Sequence, residues 1–230
     1  MSAINVLRQS GAVHVFTDGA AYGADGALLH VGPKAWPLPH LKAVVACRGP
    51  ELIGPLAASY LSASTRSYEL LRQNAGRIGR SLMESFGHLL ELCSHGGDFE
   101  FVVAGFSELS GPDSYLVCNH DRYGVPPWTV IELGAFSLLP SSDAIHAAFA
   151  AGLKPGATAD DLDPEVEGLR AMEAQRSAAV SLQRDESLVI VGGFAQMTTI
   201  TPDGISTKVL KRWPDQFGKP IGSQELEAVQ

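Results

Sequence analysis

Cysteine is scarce in this chain. Its three cysteines, Cys47, Cys93 and Cys118, are far apart, odd in number and form no C-x-x-C pair. That excludes a disulfide framework and points to free, mostly buried thiols in a reducing, cytoplasmic setting. Long apolar runs are missing too: no stretch reaches the roughly 18 residues that a membrane span requires. The start Met1-Ser2-Ala3-Ile4-Asn5 lacks the basic segment and apolar run of a secretory signal. Basic residues are outnumbered, 17 Lys and Arg against 25 Asp and Glu, for a formal net charge of −8. They are scattered rather than striped, so a nucleic-acid partner is not expected. Internal repeats and low-complexity runs are absent, and 45% hydrophobic with 18% charged residues is a globular composition.

Ligand-holding patterns are equally sparse. The seven histidines show no HxH or HExxH spacing, and His120-Asp121 has no second His or Cys near it, so no metal site is expected. Gly192-Gly193 is not part of a phosphate loop leading into a helix, and no cofactor is expected. Cys47 has no evident His partner and reads as a buried strand thiol. Asp160-Asp161 reads as a solvated acidic loop.

What is present is an ordered alternation of strand and helix patterns. Ile4–Leu7 and Ala12–Thr17 read as strands, and Asp25-Gly26 as a hairpin turn between Ala20–Tyr22 and Ala27–Val31. Trp36-Pro37-Leu38-Pro39 is too rich in proline for a central strand, whereas Leu41–Ala46 suits a buried one. Helical spacing covers Glu51–Ala63 and Asn74–Cys93. Strands are expected over Phe99–Phe106, Ser114–Asn119 and Thr129–Leu133, then helices over Ser141–Gly152 and Pro164–Leu182. Leu188–Thr201 and Ile205–Leu210 close the pattern as paired strands around Pro202-Asp203-Gly204. Grouped strands and grouped helices favour an α+β fold of antiparallel sheets with helix pairs outside. One domain over residues 1–212 is expected, with a polar, peripheral tail over 213–230.

Ser2, Asp18 and Lys34 follow one another at intervals of 16 residues. Ser2-Ala3-Ile4 leads into a strand, Gly11 makes a turn, a second strand runs to Thr17-Asp18, and Pro33-Lys34 comes next. In this register the chain resembles proteasome β-subunits and their bacterial homologues, members of the N-terminal nucleophile (Ntn) hydrolase superfamily. Arg48-Gly49-Pro50, Val103–Phe106 and Gly192-Gly193 ahead of Ile200–Gly204 extend the likeness over most of the chain.

The resemblance implies a four-layer αββα sandwich and hydrolysis of peptide or amide bonds. Ser2, freed by loss of Met1, would be nucleophile and, through its α-amine, base. An α-amine has a reference pKa near 8. Lys34 would lower that pKa with its charge, Asp18 would hold Lys34, and backbone N–H groups from Cys47 to Gly49 would form an oxyanion hole. It also implies self-association into a ring or stacked oligomer through the helices of Glu51–Cys93. A second reading keeps the fold but not the chemistry: an inactive ring or virion-type assembly subunit. Two departures support it. Gly134-Ala135-Phe136-Ser137 stands where the family keeps Gly-Ser-Gly, and no Asp-x-x-Ser precedes Gly192 unless Asp185 and Ser187 substitute.

Overall fold

The N-terminal residues pair into a hairpin because alternating apolar positions on two short strands can be buried only together. In a computed structural model, which describes residues 2–90, 92, 97–181 and 191–222, this hairpin is β1 (Ile4–Arg8) and β2 (Val13–Asp18). Then follow β3 (Ala20–Tyr22), β4 (Leu28–Val31), β5 (Ala35–Leu38) and β6 (Ala43–Arg48). Two helices come next, α1 (Ile53–Ser64) and α2 (Tyr68–Leu90), then β7 (Glu100–Ser107), β8 (Gly111–Cys118), β9 (Ile131–Glu132) and β10 (Phe136–Leu139). The helices α3 (Asp143–Ala150) and α4 (Pro164–Ser181) precede β11 (Phe194–Thr201) and β12 (Gly204–Arg212).

The strands form two five-stranded sheets, ordered β10-β1-β2-β11-β12 and β5-β6-β7-β8-β9, and the separate hairpin β3-β4. Every ladder between them is antiparallel, so the fold is α+β. All six residues of β2 and of β6 are buried, which requires cover on both faces of each sheet. One cover is shared: Ile4, Val6, Val13 and Val15 of the first sheet meet Val44, Ala46, Val102, Ala104 and Leu116 of the second. On the opposite faces, α1 and α2 bury Ile53, Leu61, Leu71 and Leu82 against Val45, Phe101 and Val103. Leu7, Phe16 and Met197 meet Met172 of α4, and Leu138 meets Ile145 and Phe149 of α3. Each such large apolar side chain contributes about 1.5–3 kcal/mol on burial.

Several boundaries differ from the pattern reading, each for a physical reason. Helix α2 starts at Tyr68 rather than Asn74, because Ser67 Oγ accepts the Leu70 N–H (3.3 Å) and Tyr68, Leu71 and Ala75 extend its buried stripe. Trp36-Pro37-Leu38, expected to be unfit for a central strand, accordingly lies in an edge strand, β5, where Pro37 needs no ladder partner. The stretch Gly134–Ser137, to which no strand was assigned, runs into β10, which becomes a strand only by pairing with β1, distant in sequence. Trp213 and Ile221, expected in a peripheral tail, are 6% and 3% exposed and sit in apolar clusters with Val191 and Leu28 respectively. Residues 188–190, Asp185, Ser187 and Cys93 lie outside the described residues.

Candidate active site

The register of the first hairpin explains the first interval of 16. Ile4 pairs with Thr17, so the residues before β1 run alongside the end of β2, and the Ala3 N–H donates to Asp18 Oδ1 (3.0 Å). The second hairpin explains the next interval. Ala20 pairs with Val31 and the Gly32 N–H donates to Gly19 O (2.9 Å), so the chain returns past Asp18 just before it reaches Lys34.

There the three residues meet. Lys34 Nζ donates to Ser2 Oγ (2.6 Å), to Asp18 Oδ2 (2.8 Å) and to the carbonyl of Ala20 (2.5 Å). An ammonium has three N–H groups, and all three are engaged. Asp18 is completely buried and also accepts the N–H groups of Ala20 (3.1 Å) and Gly192 (3.4 Å). Burial pulls the Lys34 pKa below the ordinary lysine range; Asp18 opposes that shift without cancelling it, and the charge of Arg48 adds to it. The site therefore holds a lysine whose pKa lies below the ordinary range, in contact with a hydroxyl.

Gly49 directly follows the last residue of β6. Its φ of +130° and the approach of Asp98 O and Phe99, which would stand 2.7–2.9 Å from a Cβ, demand glycine there. The expectation for Cys47 needs correction. Its N–H donates to Lys34 O (3.2 Å) just beyond the end of the β5–β6 ladder, so it is spent on holding Lys34 and does not belong to an oxyanion hole. Burial also raises the pKa of the Cys47 thiol well above the usual range, which suits a structural thiol.

Beside Gly49 lies a buried network that the sequence reading missed. Arg48 and Glu100 are directly opposed in the β6–β7 register and bond at 2.8 Å. Glu100 also accepts from His120 Nε2 (3.1 Å) and the Tyr123 hydroxyl (3.0 Å). His120 is thus engaged by a carboxylate. No sequence spacing signals the network, because it assembles across three non-local segments. A second missed group anchors the N-terminal strand: Asn5 and Gln175 exchange amide hydrogen bonds of 2.8 and 2.9 Å, and Asn5 Oδ1 takes the Leu139 N–H. Ser137, which ends the stretch standing where the family keeps Gly-Ser-Gly, pairs with Val6 rather than with the first residues, and its hydroxyl donates to Gly134 O at 3.5 Å.

Among the described residues there is no cluster of three or more His, Cys, Asp or Glu fit to hold a metal ion, and no helix long and apolar enough to cross a membrane. No protein-family model matches the chain, and no curated protein matches it.

Proposed function

We propose that this protein is a proteasome-like Ntn hydrolase, with its helices and two sheets forming the αββα sandwich of that class. The single observation that carries the reading is the bond from Lys34 Nζ to Ser2 Oγ, with Asp18 behind the lysine. In the reaction, loss of Met1 leaves Ser2 as N-terminus. The neutral form of Lys34, favoured by burial, takes the Ser2 hydroxyl proton as Oγ attacks the carbonyl carbon of a peptide bond. The Gly49 N–H stabilises the oxyanion, an effect worth about 3–4 kcal/mol per donor. Collapse breaks the C–N bond, the departing amine takes a proton from the protonated Lys34 or the Ser2 α-ammonium, and water then hydrolyses the Ser2 ester. This reading assigns the base to Lys34, whose Nζ stands 2.6 Å from the hydroxyl, rather than to the α-amine. Subunits associate through α1 and α2 into a ring or stacked oligomer.

The test is intact-mass analysis of the protein treated with a peptide epoxyketone. One adduct on the chain lacking Met1, absent from Ser2→Ala and Lys34→Ala, supports the hydrolase. Retained Met1, or a processed chain that takes no adduct, refutes it. The position of Ser137 on β10, opposite Val6, favours the second reading, a catalytically inactive assembly subunit of the same fold. That subunit gives the same oligomer by sizing and no adduct.

A further inference from the structure

Behind Asp18 the structure continues into a chain of hydrogen bonds that ends in the C-terminal segment. Gly192 donates its N–H to Asp18 Oδ2 (3.4 Å), and its carbonyl accepts the N–H of Gly19 (3.0 Å). The neighbouring Gly193 donates its N–H to Asp215 Oδ2 (2.8 Å). Asp215 is gripped by the fork of Arg176 from α4, at 2.8 and 3.1 Å, and the same guanidinium reaches Val191 O (2.7 Å). The Arg176 and Asp215 side chains are 3% and 2% exposed, and the guanidinium lies over the Trp213 ring, 4.9 Å from its centre. No room is left for a side chain at Gly192: a Cβ there would stand 2.7 Å from Ile221 and 2.8 Å from Asp215.

The same segment then binds the β3-β4 hairpin. Leu28 exchanges backbone bonds with Lys219 and Gly218, both 2.9 Å, and the Ile221 N–H donates to Gly26 O (3.3 Å). Ile221 is buried among Ala20 and Leu28. Residues 213–222 therefore touch both chain segments that place Asp18: the Gly192-Gly193 turn on one side and the hairpin after Ala20 on the other.

We propose that Arg176 and Asp215 are positioning residues, and that residues 213–222 act as a strap which holds Gly192-Gly193 against Asp18 and so fixes Lys34 on Ser2. The proposal rests on the hydrolase reading for its effect on chemistry, but not for its effect on the backbone. Asp215 touches no reacting atom. It acts through Gly193, Gly192 and Asp18, and a bidentate, buried Arg–carboxylate pair is rigid enough to transmit position. Displacing a catalytic group by about 1 Å costs on the order of 100-fold in rate, which leaves a positioning pair far from the reacting atoms a large lever.

The experiment uses the full-length processed protein and Asp215→Ala, with Asp215→Asn and Arg176→Lys as milder variants should the alanine protein fail to fold. Two quantities are read: amide hydrogen exchange at Gly19, Gly192 and the β7-β8 ladder, and saturation kinetics of epoxyketone adduct formation at Ser2. The expected result is about tenfold faster exchange at Gly19 with β7-β8 unchanged. The limiting adduct rate falls about tenfold or more while the half-saturation concentration stays within about twofold. Unchanged exchange at Gly19 in a folded variant overturns the strap. So does a folded variant with faster exchange at Gly19 but an unchanged limiting rate. A wild-type protein that forms no adduct refutes the hydrolase reading alone, and exchange at Gly19 still decides whether the strap holds the turn.

Discussion

Two buried ion pairs stand on either side of the Gly192-Gly193 turn, and they are built from different cations. Lys34–Asp18 closes at 2.8 Å with 12% of the lysine side chain exposed; Arg176–Asp215 closes at 2.8 Å and is almost fully enclosed. A guanidinium keeps its proton at any pH a protein meets, whereas a buried ammonium gives its proton up readily. Lys34 also touches a hydroxyl, and Arg176 grips a carboxylate and a carbonyl and lies over a ring. On the proposed reading one pair moves a proton and the other holds a backbone in place, so the same interaction serves once as chemistry and once as scaffolding.

The largest effect that separates them is expected from Lys34→Met. Removing the lysine leaves Asp18 buried without a cation, at a cost of about 3–5 kcal/mol, read as a lower urea midpoint. Modification of Ser2 by an epoxyketone falls by about 100- to 10,000-fold, the range for losing a general base. Arg176→Met is expected to cost a similar amount of stability for the same reason, with a much smaller loss of Ser2 reactivity. Equal losses of reactivity in the two variants would erase the distinction drawn between the pairs.

Stability against pH sharpens it further. The folded Lys34 pKa lies below the ordinary lysine range, so in that interval the unfolded chain binds more protons and stability rises with pH. Asp215 gives a slope of the same sign in a lower pH range, because its folded pKa is also lowered. Burial works to raise its pKa, yet the bonds from Arg176 and the Gly193 N–H prevail and lower it. Its contribution is present above the ordinary carboxylate range and is lost as pH falls through the lower folded value. Urea titrations are expected to show an alkaline slope that Lys34→Met flattens and an acidic slope that Asp215→Asn flattens.

Glu100→Gln is expected to have a moderate effect. It removes the carboxylate bonded to Arg48, so the Arg48 charge weighs more on Lys34 and the lysine titrates at still lower pH, visible in the side-chain carbon resonance of labelled lysine. The smallest effect belongs to Ser137→Ala, whose hydroxyl makes one long bond to Gly134 O. Its Ser2 reactivity is expected to remain within about twofold of wild type, since surface changes away from special features have little effect. A large loss there would return Ser137 to the site.

The Lys34–Asp18 pair was legible in the sequence and the Arg176–Asp215 pair was not. Ser2, Asp18 and Lys34 stand at the ends of two successive hairpins, so a fixed interval along the chain becomes a contact in space. The hairpin at Asp25-Gly26 and the grouping of helices were readable because turn chemistry and apolar period are local. Arg176 and Asp215 lie on a helix and in an irregular segment 39 residues apart, and nothing local marks either. Strand β10 escaped for the same reason, since it exists only through its partner β1. Cys47 shows the complementary failure: its place beside the site was foreseen, but the donation of its N–H to Lys34 O depends on ladder register, which residue types alone do not specify.

The central claim is that Lys34 takes the Ser2 proton, which needs a cation able to become neutral. The most direct measurement is the rate of Ser2 acylation by a β-lactone in processed Lys34→Arg, followed by mass spectrometry of the N-terminal peptide. Arginine preserves the charge beside Asp18 but cannot accept a proton, so acylation is expected to be lost while the wild-type protein reacts faster as pH rises. Acylation of Lys34→Arg at the wild-type rate would contradict the account and return the role of base to the α-amine of Ser2.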